Sequence, residues 1–439
     1  MGMRITVLGT GYLGATHAAG MAELGHDVLG VDVDAAKVAA LAAGRVSFYE
    51  PALEDLVARH VASGRLRFTT STVEAADFGD VHFVCVGTPQ RQGGYGADLS
   101  AVDGAVEGLA RHLTREALVV GKSTVPVGTA ERLSDRLREI APAGAMVELA
   151  WNPEFLREGH AVEDTLRPDR LVAGVQSTRA ERVLREVYAE PLASGVPFVV
   201  TDLVTAELTK VAANSFLATK VSFINAMAEL CEATGADVVT LADAIGYDPR
   251  IGRRYLNAGL GFGGGCLPKD IRAFMARAGE LGVDQALTFL REVDSINMRR
   301  RHRMVDLARQ ECDGDVLGKR IGVLGAAFKP RSDDVRDSPA LNVAAQLQLQ
   351  GAHVSIYDPR ANANARALFP TLRYADSVAE AVRDADLVLH LTEWEEFREL
   401  DPEPIGEIVA KRRILDGRNA LDPDRWRRAG WTYRALGRP

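Results

Sequence analysis

A single thiol stands at the end of a glycine run, Gly261-Phe262-Gly263-Gly264-Gly265-Cys266, and Leu267-Pro268-Lys269-Asp270 follows it. Four glycines in five positions leave the backbone free to take positive φ and to let a ligand come within contact distance. Pro268 fixes φ and suits the first turn of a helix, and the apolar spacing Ile271, Phe274, Met275, Ala278, Leu281 predicts that helix. Its amino terminus would set partial positive charge beside Cys266, and Lys269 would add a full one. Both favour the thiolate, the form of sulfur that attacks a carbonyl carbon. A lone cysteine is more often a small buried hydrophobe, but the glycine run and the Lys-Asp pair set this one apart.

Two further stretches carry groups that a thiol mechanism needs. Asn152-Pro153-Glu154-Phe155-Leu156-Arg157-Glu158 places two carboxylates four apart, and a helical segment would put them on one face. Such acids could position water or accept protons, as thioester hydrolysis requires, or they could simply line a solvated helix face. From Thr205 to about Gly235 no proline or glycine interrupts a helical pattern whose apolar stripe is too wide for a surface helix, which predicts a connector that also packs in a dimer. Lys210 and Asn214 lie one turn apart in it, as donors to a developing oxyanion or, for the lysine, as a snorkelling surface cation. Asp248-Pro249-Arg250-Ile251-Gly252 and Tyr255-Leu256-Asn257-Ala258-Gly259 lead into the glycine loop and are turn-rich and aromatic, as a sugar or base pocket would be.

These groups need a scaffold, and the first third of the chain supplies one. The β-rich run Arg4–Leu8 passes directly into Gly9-Thr10-Gly11-Tyr12-Leu13-Gly14, then a helical pattern to Leu24, then Val28–Asp32 ending in an acid. Strand, glycine turn, helix and acid together predict a dinucleotide-binding Rossmann unit, with the pyrophosphate at the helix start and Asp32 on the ribose hydroxyls. Asp32 would repel a 2′-phosphate, which favours NAD over NADP, although Lys37 lies one turn further on. The strand-like runs Val81–Val86 and Leu118–Val120 end near Thr88 and Thr124, where ligands sit in an open parallel sheet; ordinary loop hydroxyls are the plainer reading. Cys85 reads as core.

The last third echoes the first. Lys319–Gly325 and Gly351–Asp358 resemble the opening strand–glycine and strand–acid runs, so the expected fold is α/β, with two Rossmann-like doubly wound domains joined by a long central helix. The expected boundaries are 1–200 for the NAD-binding domain, 201–300 for the helical connector with the cysteine loop, and 301–439 for the second Rossmann-like domain. Its first turn is about ten residues longer than that of the first domain and carries Lys329, Arg331 and Arg336, enough cation to engage a diphosphate. Gly417-Arg418-Asn419, read as following the last strand, would add another cation.

A net charge of −8 argues against non-specific nucleic-acid binding, and no apolar run reaches membrane-spanning length. The amino terminus reads as a strand rather than a signal peptide, so the cytoplasm is the expected location. Cysteines 85, 231, 266 and 312 form no C-x-x-C pair, and neither a metal site nor a disulfide framework is expected.

In their order along nearly the whole chain, the Gly9–Gly14 turn, Val86-Gly87-Thr88-Pro89, Ser123-Thr124-Val125-Pro126, the Asn152–Glu158 motif, the Gly261–Asp270 loop and Phe328-Lys329 through Arg336 resemble the nucleotide-sugar 6-dehydrogenases of the UDP-glucose/GDP-mannose dehydrogenase family. The resemblance implies a four-electron oxidation of a sugar C6 alcohol to a carboxylate with two NAD, UDP-glucose being the substrate that Asp248–Gly252 and Leu256–Gly259 favour over GDP-mannose, and that the Pro268-Lys269-Asp270 ending favours over an N-acetylhexosamine. It implies capture of the C6 aldehyde by Cys266, with Lys210, Asn214 and Asp270 steadying the C6 oxygen, Thr124 and Glu158 positioning water and Glu154 assisting proton transfer. NAD would be held by Gly9, Gly11, Tyr12, Leu13, Gly14, Asp32, Lys37, Thr88, Thr124, Glu158, Lys269 and Arg336. The UDP-sugar would be held by Glu154, Phe155, Leu156, Arg157, Glu158, Lys210, Asn214, Arg250, Tyr255, Leu256, Asn257, Ala258, Gly259, Phe262, Gly263, Lys329 and Arg418. A homodimer or larger assembly is also implied, with Arg250 reaching the partner. Gly265 departs from the Ser that relatives often carry. A non-catalytic nucleotide-sugar sensor is the contrasting class, but its expected mark, loss of the thiol or of Lys210, is absent.

Overall fold

A computed structural model describes residues 2–438, which form two compact units. The first comprises the chain up to Ala213 together with Arg272–Gly282, and the second comprises Asn214–Ile271 with Val283 onward.

The first unit is an eight-stranded sheet: β1 (Arg4–Leu8), β2 (Asp27–Val31), β3 (Leu66–Thr69), β4 (Val81–Val84), β5 (Ala117–Gly121), β6 (Val147–Trp151), β7 (Leu171–Gly174) and β8 (Phe198–Thr201). Their spatial order is β3-β2-β1-β4-β5-β6-β7-β8, parallel through β6, with β7 antiparallel to β6. The first six follow the order of a dinucleotide-binding sheet. Both faces are covered, so the strands read as continuous apolar runs. Ile5, Val7, Val28, Phe83 and Val120 face one core with the alanine-rich helix Tyr12–Glu23. Their neighbours Leu8, Leu29, Val84 and Val119 face the other, as the two-residue period of a strand demands.

The second unit holds a six-stranded parallel sheet built in the same way: β9 (Arg320–Leu324), β10 (His353–Tyr357), β11 (Arg373–Tyr374), β12 (Leu387–His390), β13 (Arg413–Asp416) and β14 (Thr432–Ala435), in the order β11-β10-β9-β12-β13-β14. The doubly wound architecture therefore occurs twice. Gly417-Arg418-Asn419 follows β13 rather than the last strand, because β14 pairs beyond it. The acid after the second strand also recurs. Asp32 Oδ2 accepts from Thr10 N at 2.8 Å, and Asp358 Oδ2 accepts from Ala326 N at 2.8 Å and Ala327 N at 3.0 Å. Asp358 in addition takes Trp394 Nε1 on Oδ2, with Arg360 N and Ala361 N on Oδ1.

The helix Leu203–Thr234 runs for 32 residues, as its unbroken pattern predicts. The stretch Asn152–Glu158 is irregular, and helix resumes only at Ala161. The expectation that Glu154 and Glu158 share a helical face is therefore corrected. Pro153 disfavours helical φ and ψ at Asn152. The next available start is set by Glu50, whose buried carboxylate accepts from Gly159 N at 2.6 Å and Ala161 N at 2.7 Å.

Candidate active site

The glycines of the first turn divide by function. Gly9 takes φ +85°, and a Cβ on Gly14 would lie 1.7 Å from Gly9 O, so these two serve the turn and its packing. Around a Cβ on Gly11 nothing lies within 4 Å, so protein packing does not demand that glycine. Gly11 opens the helix Tyr12–Glu23 and no side chain caps it, which leaves the first-turn N–H groups available to an anion. Leu13 packs against the core beneath the turn. Burial alone would raise the Asp32 carboxyl; Lys37 at 2.9 Å and the N–H groups of Thr10 and Asp34 outweigh it and hold it below the usual range. These features fit NAD. The carboxylate is ionised, and its Oδ1 accepts only from Asp34 N among the described hydrogen bonds. Tyr12 turns its hydroxyl to Glu50, which also holds the loop before Ala161. Burial and the Glu50 and Glu158 charges push that phenol well above its ordinary pKa.

Thr88 and Thr124 do come together, with Thr88 Oγ1 donating to Thr124 O at 2.8 Å. The irregular Asn152–Glu158 loop holds Glu154 against Lys210 at 2.8 Å, with both side chains nearly buried. Glu154 Oε2 also accepts from Leu156 N, which curls the loop around its own carboxylate. Arg170 lies 3.7 Å above the Phe155 ring. Arg157 forks onto Asp164 and is half exposed.

Lys122, which the motif reading passes over, anchors this loop. It follows β5, is buried, and donates to Asn152 Oδ1 at 3.0 Å and to Tyr188 Oη at 3.3 Å. Asn152 in turn donates to Val172 O, so the residue that opens the loop is held on both amide atoms. No periodicity marks such a lysine; its position one residue before Ser123-Thr124, in an apolar run, is the only signal. Burial lowers its pKa from 10.5 to about 8, against the raising effect of Cys85 and Glu154. Between about pH 8 and 10.5 the unfolded chain then binds the extra proton, so stability rises with pH. The contribution is lost as pH falls through the folded value. Urea unfolding at pH 8 and 9.5 should show wild type gaining roughly 1 to 2 kcal/mol relative to Lys122→Met. Parallel behaviour of the two proteins would refute a depressed Lys122.

In the second unit, Cys266 immediately precedes the helix Leu267–Glu280 and accepts Asp270 N on its carbonyl at 2.9 Å, which makes it the amino-terminal cap residue. It is exposed, whereas Cys85, Cys231 and Cys312 are buried. Burial pushes the Cys85 thiol up to about 12 and the Cys312 thiol up to about 11, which removes both as nucleophiles. Asp270, also buried, accepts from Asn214 Nδ2 at 2.7 Å and from Lys269 Nζ at 2.6 Å. Arg336 pairs with Asp334.

The glycines of the cysteine loop are explained chiefly by protein atoms. A Cβ would lie 2.1 Å from Asn297 Oδ1 at Gly261, 2.4 Å from Asp337 O at Gly263 and 2.8 Å from the Phe328 ring at Gly264. At Gly265 it would meet the Arg336 guanidinium at 2.2 Å, so the missing hydroxymethyl is replaced by a cation. Close packing within the unit, rather than ligand approach, requires the run.

A cavity of about 310 Å³ is lined by Arg253, Leu256, Asn257, Ala258, Glu393 and Arg418, among others. It gathers four of the residues expected to hold a UDP-sugar and adds others, Arg253 and Glu393 among them, that carried no motif. Arg253 binds Asn257 Oδ1 and Leu256 O, while Tyr255 takes φ +67° beside it. Gly259 packs against Gly417 O. Arg418 donates to Leu391 O, Gly261 O and Phe328 O and pairs with Glu393 at 3.3 Å, so it braces the loops. Arg250 is highly exposed and forks onto Asp248. Lys329 lies 5.3 Å from the Phe328 ring. Among the described residues no cluster of metal-ligating side chains occurs.

Comparison with known proteins covers nearly the whole chain. Residues 3–192, 204–299 and 322–423 match, respectively, the NAD binding, central and UDP binding domains of one family. The chain is 43% identical over 439 residues to a UDP-glucose 6-dehydrogenase of Rhizobium meliloti (strain 1021), with all of both chains covered. A UDP-glucose dehydrogenase structure from Pyrobaculum islandicum superposes with a TM-score of 0.91 at 39% identity, covering 100% of this chain and 98% of that one. A UDP-D-ManNAc dehydrogenase from Pyrococcus horikoshii superposes with a TM-score of 0.85 at 27% identity over 99% of each chain. Matched along its length by the three domains of one family and 43% identical to a full-length relative, the chain belongs to the UDP-glucose/GDP-mannose dehydrogenase family.

Proposed function

We propose that the chain oxidises the C6 alcohol of UDP-glucose to the carboxylate of UDP-glucuronate through a covalent intermediate on Cys266. The carrying observation is that Cys266 alone of the cysteines is exposed, and that it caps a helix whose first turn presents Asp270 held by Asn214 and Lys269. NAD+, which the Gly9–Gly14 turn and Asp32 would hold, would supply the hydride acceptor for each of the two oxidations at C6. When the alcohol is oxidised its proton is released, with Glu154 assisting that transfer. The Cys266 thiolate then adds to the aldehyde carbon, and the oxygen takes a proton to give a thiohemiacetal. Loss of that proton and a second hydride leaves a thioester. Water positioned by Thr124 and Glu158 adds to it, the C–S bond breaks, and the thiolate leaves. Lys210, Asn214 and Asp270 steady the C6 oxygen while it carries negative charge. The UDP moiety is assigned to Leu256–Gly259, the 310 Å³ cavity and Lys329. The similarity to UDP-glucose dehydrogenases at about 40% identity supports the choice of sugar.

A panel of UDP-glucose, GDP-mannose and UDP-N-acetylmannosamine with NAD tests the reading. Two NADH per UDP-glucose with no free aldehyde is expected. One NADH with released aldehyde would remove the covalent step, and preference for another sugar would reassign the substrate.

A homodimer is part of the same reading. Phe216, Phe223 and Leu230 recur every seven residues on the helix Leu203–Thr234 and are 66%, 48% and 58% exposed, an apolar line suited to a second copy. Phe223→Glu should convert a dimer to a monomer in sedimentation velocity; a wild-type monomer would refute the assignment. Among the described residues no helix is long and apolar enough to cross a membrane, and the cytoplasm, where NAD and nucleotide sugars are held, is the location that fits the proposed chemistry.

A further inference from the structure

The helix Phe289–Glu311 buries three polar side chains one after another: Asn297, Arg300 and Arg301 are each at most 1% exposed. Burying a guanidinium is costly unless its donors are used, so the partners show what the helix is holding. Asn297 uses both ends of its amide on one residue, accepting from Phe262 N at 2.7 Å and donating to Phe262 O at 3.0 Å. This is the bonding pattern of a strand neighbour, supplied by a side chain. Arg301, one turn on, reaches two loops together. Its Nη2 donates to Phe262 O at 3.3 Å and to Asp337 O at 3.4 Å, and its Nη1 donates to the Asp337 carboxylate at 2.7 Å.

The two loops are also joined directly, by Gly264 N donating to Arg336 O at 2.9 Å. The packing described above, in which Gly263, Gly264 and Gly265 each lack a Cβ where Asp337, Phe328 and Arg336 press in, closes the remaining space. The cysteine loop is thus seated on the long inserted turn of the second sheet. Nothing comparable is needed for folding a Rossmann-like unit, since the first unit does without the insertion.

We propose that Asn297 and Arg301 are positioning residues for Cys266, fastening its loop to the 326–339 turn so that the thiol is presented at the helix start. This rests on the assignment of Cys266 as the nucleophile, but it makes a claim about thiol placement that can be read without turnover. Neither residue is placed in contact with substrate.

The test uses the full chain with three substitutions. Arg301→Lys keeps the charge but cannot fork across Phe262 O and Asp337; Asn297→Asp keeps the acceptor and loses the donor; Asp337→Asn removes only the charged end of the bridge. Two quantities are measured: the rate of iodoacetamide alkylation at Cys266, located by peptide mass, and the split between kcat and KM with UDP-glucose and NAD. Displacement of a reacting group by about 1 Å costs up to roughly a hundredfold, so kcat should fall by roughly ten- to hundredfold while KM for UDP-glucose stays nearly constant, and alkylation, which follows the thiolate fraction favoured by the helix start, should fall with it. Unreacted buried cysteines would verify that each variant is folded, and Asp337→Asn carries the test should either helix substitution prevent folding. Folded variants with unchanged alkylation and kcat would overturn the proposal, and so would a rise in KM alone, which would assign the clamp to nucleotide binding. A wild type that alkylates rapidly at Cys266 but oxidises no nucleotide sugar would instead overturn the proposed function and leave the alkylation comparison intact.

Discussion

Cys266→Ser is expected to lower steady-state formation of acid by at least about three orders of magnitude while leaving the fold intact. The argument is one of acidity and placement. A serine hydroxyl in the same cap position is not ionised near neutral pH, whereas a thiol is far more acidic and a helix start favours its thiolate further. The remaining thiols cannot substitute, because all three are buried and those of Cys85 and Cys312 are pushed upward by that burial. The first oxidation needs no sulfur, so the variant should still reduce NAD in a single turnover with UDP-glucose and then stall. Quenched-flow counting of NADH per active site, with detection of aldehyde, distinguishes this from simple loss of binding. Undiminished UDP-glucuronate production would end the covalent assignment.

Lys210→Met should produce the second-largest loss, and in two separable ways. The Lys210 and Glu154 side chains are only 6% and 12% exposed and lie 2.8 Å apart. Removing the cation strands a nearly buried carboxylate, for which about 3 kcal/mol of destabilisation is expected. If Lys210 also stabilises the charged C6 oxygen, kcat should fall by roughly a hundred- to thousandfold. The double variant Lys210→Met with Glu154→Gln separates the two effects, since a neutral amide no longer requires the ammonium. Stability should return toward wild type while kcat does not. Recovery of activity along with stability would reduce Lys210 to a structural partner of Glu154.

Local pattern carried much of the architecture. The Gly9–Gly14 turn, the acid ending the second strand run and the unbroken helix after Thr205 are short-range signals, and each corresponds to an observed element. The helix at Leu267 was equally legible, because Pro268 and the apolar period both act within a few residues. What escaped was set by distant partners. Asn152–Glu158 has helix-compatible spacing, yet Glu50, more than a hundred positions earlier, takes the N–H groups of Gly159 and Ala161 and fixes where helix begins. Lys122, Asn297 and Arg301 stand in unremarkable contexts, and only the tertiary fold reveals that each is buried against a loop with candidate catalytic groups. The glycines after Gly261 were visible as a run, but the atoms that fill the space beside them come from residues 297 and 328–339.

The two strand-end acids have diverged in what they leave to a visitor. Asp358 takes five donors from its own unit, three on one oxygen and two on the other, which exceeds the roughly four lone-pair directions that a carboxylate offers. It is saturated by its own chain and has no capacity left to distinguish one hydroxylated guest from another. Under the proposed assignment, discrimination in that lobe falls to cations and loop backbone, so changing its nucleotide preference would call for grafting loops, whereas in the first lobe altering Asp32 should suffice.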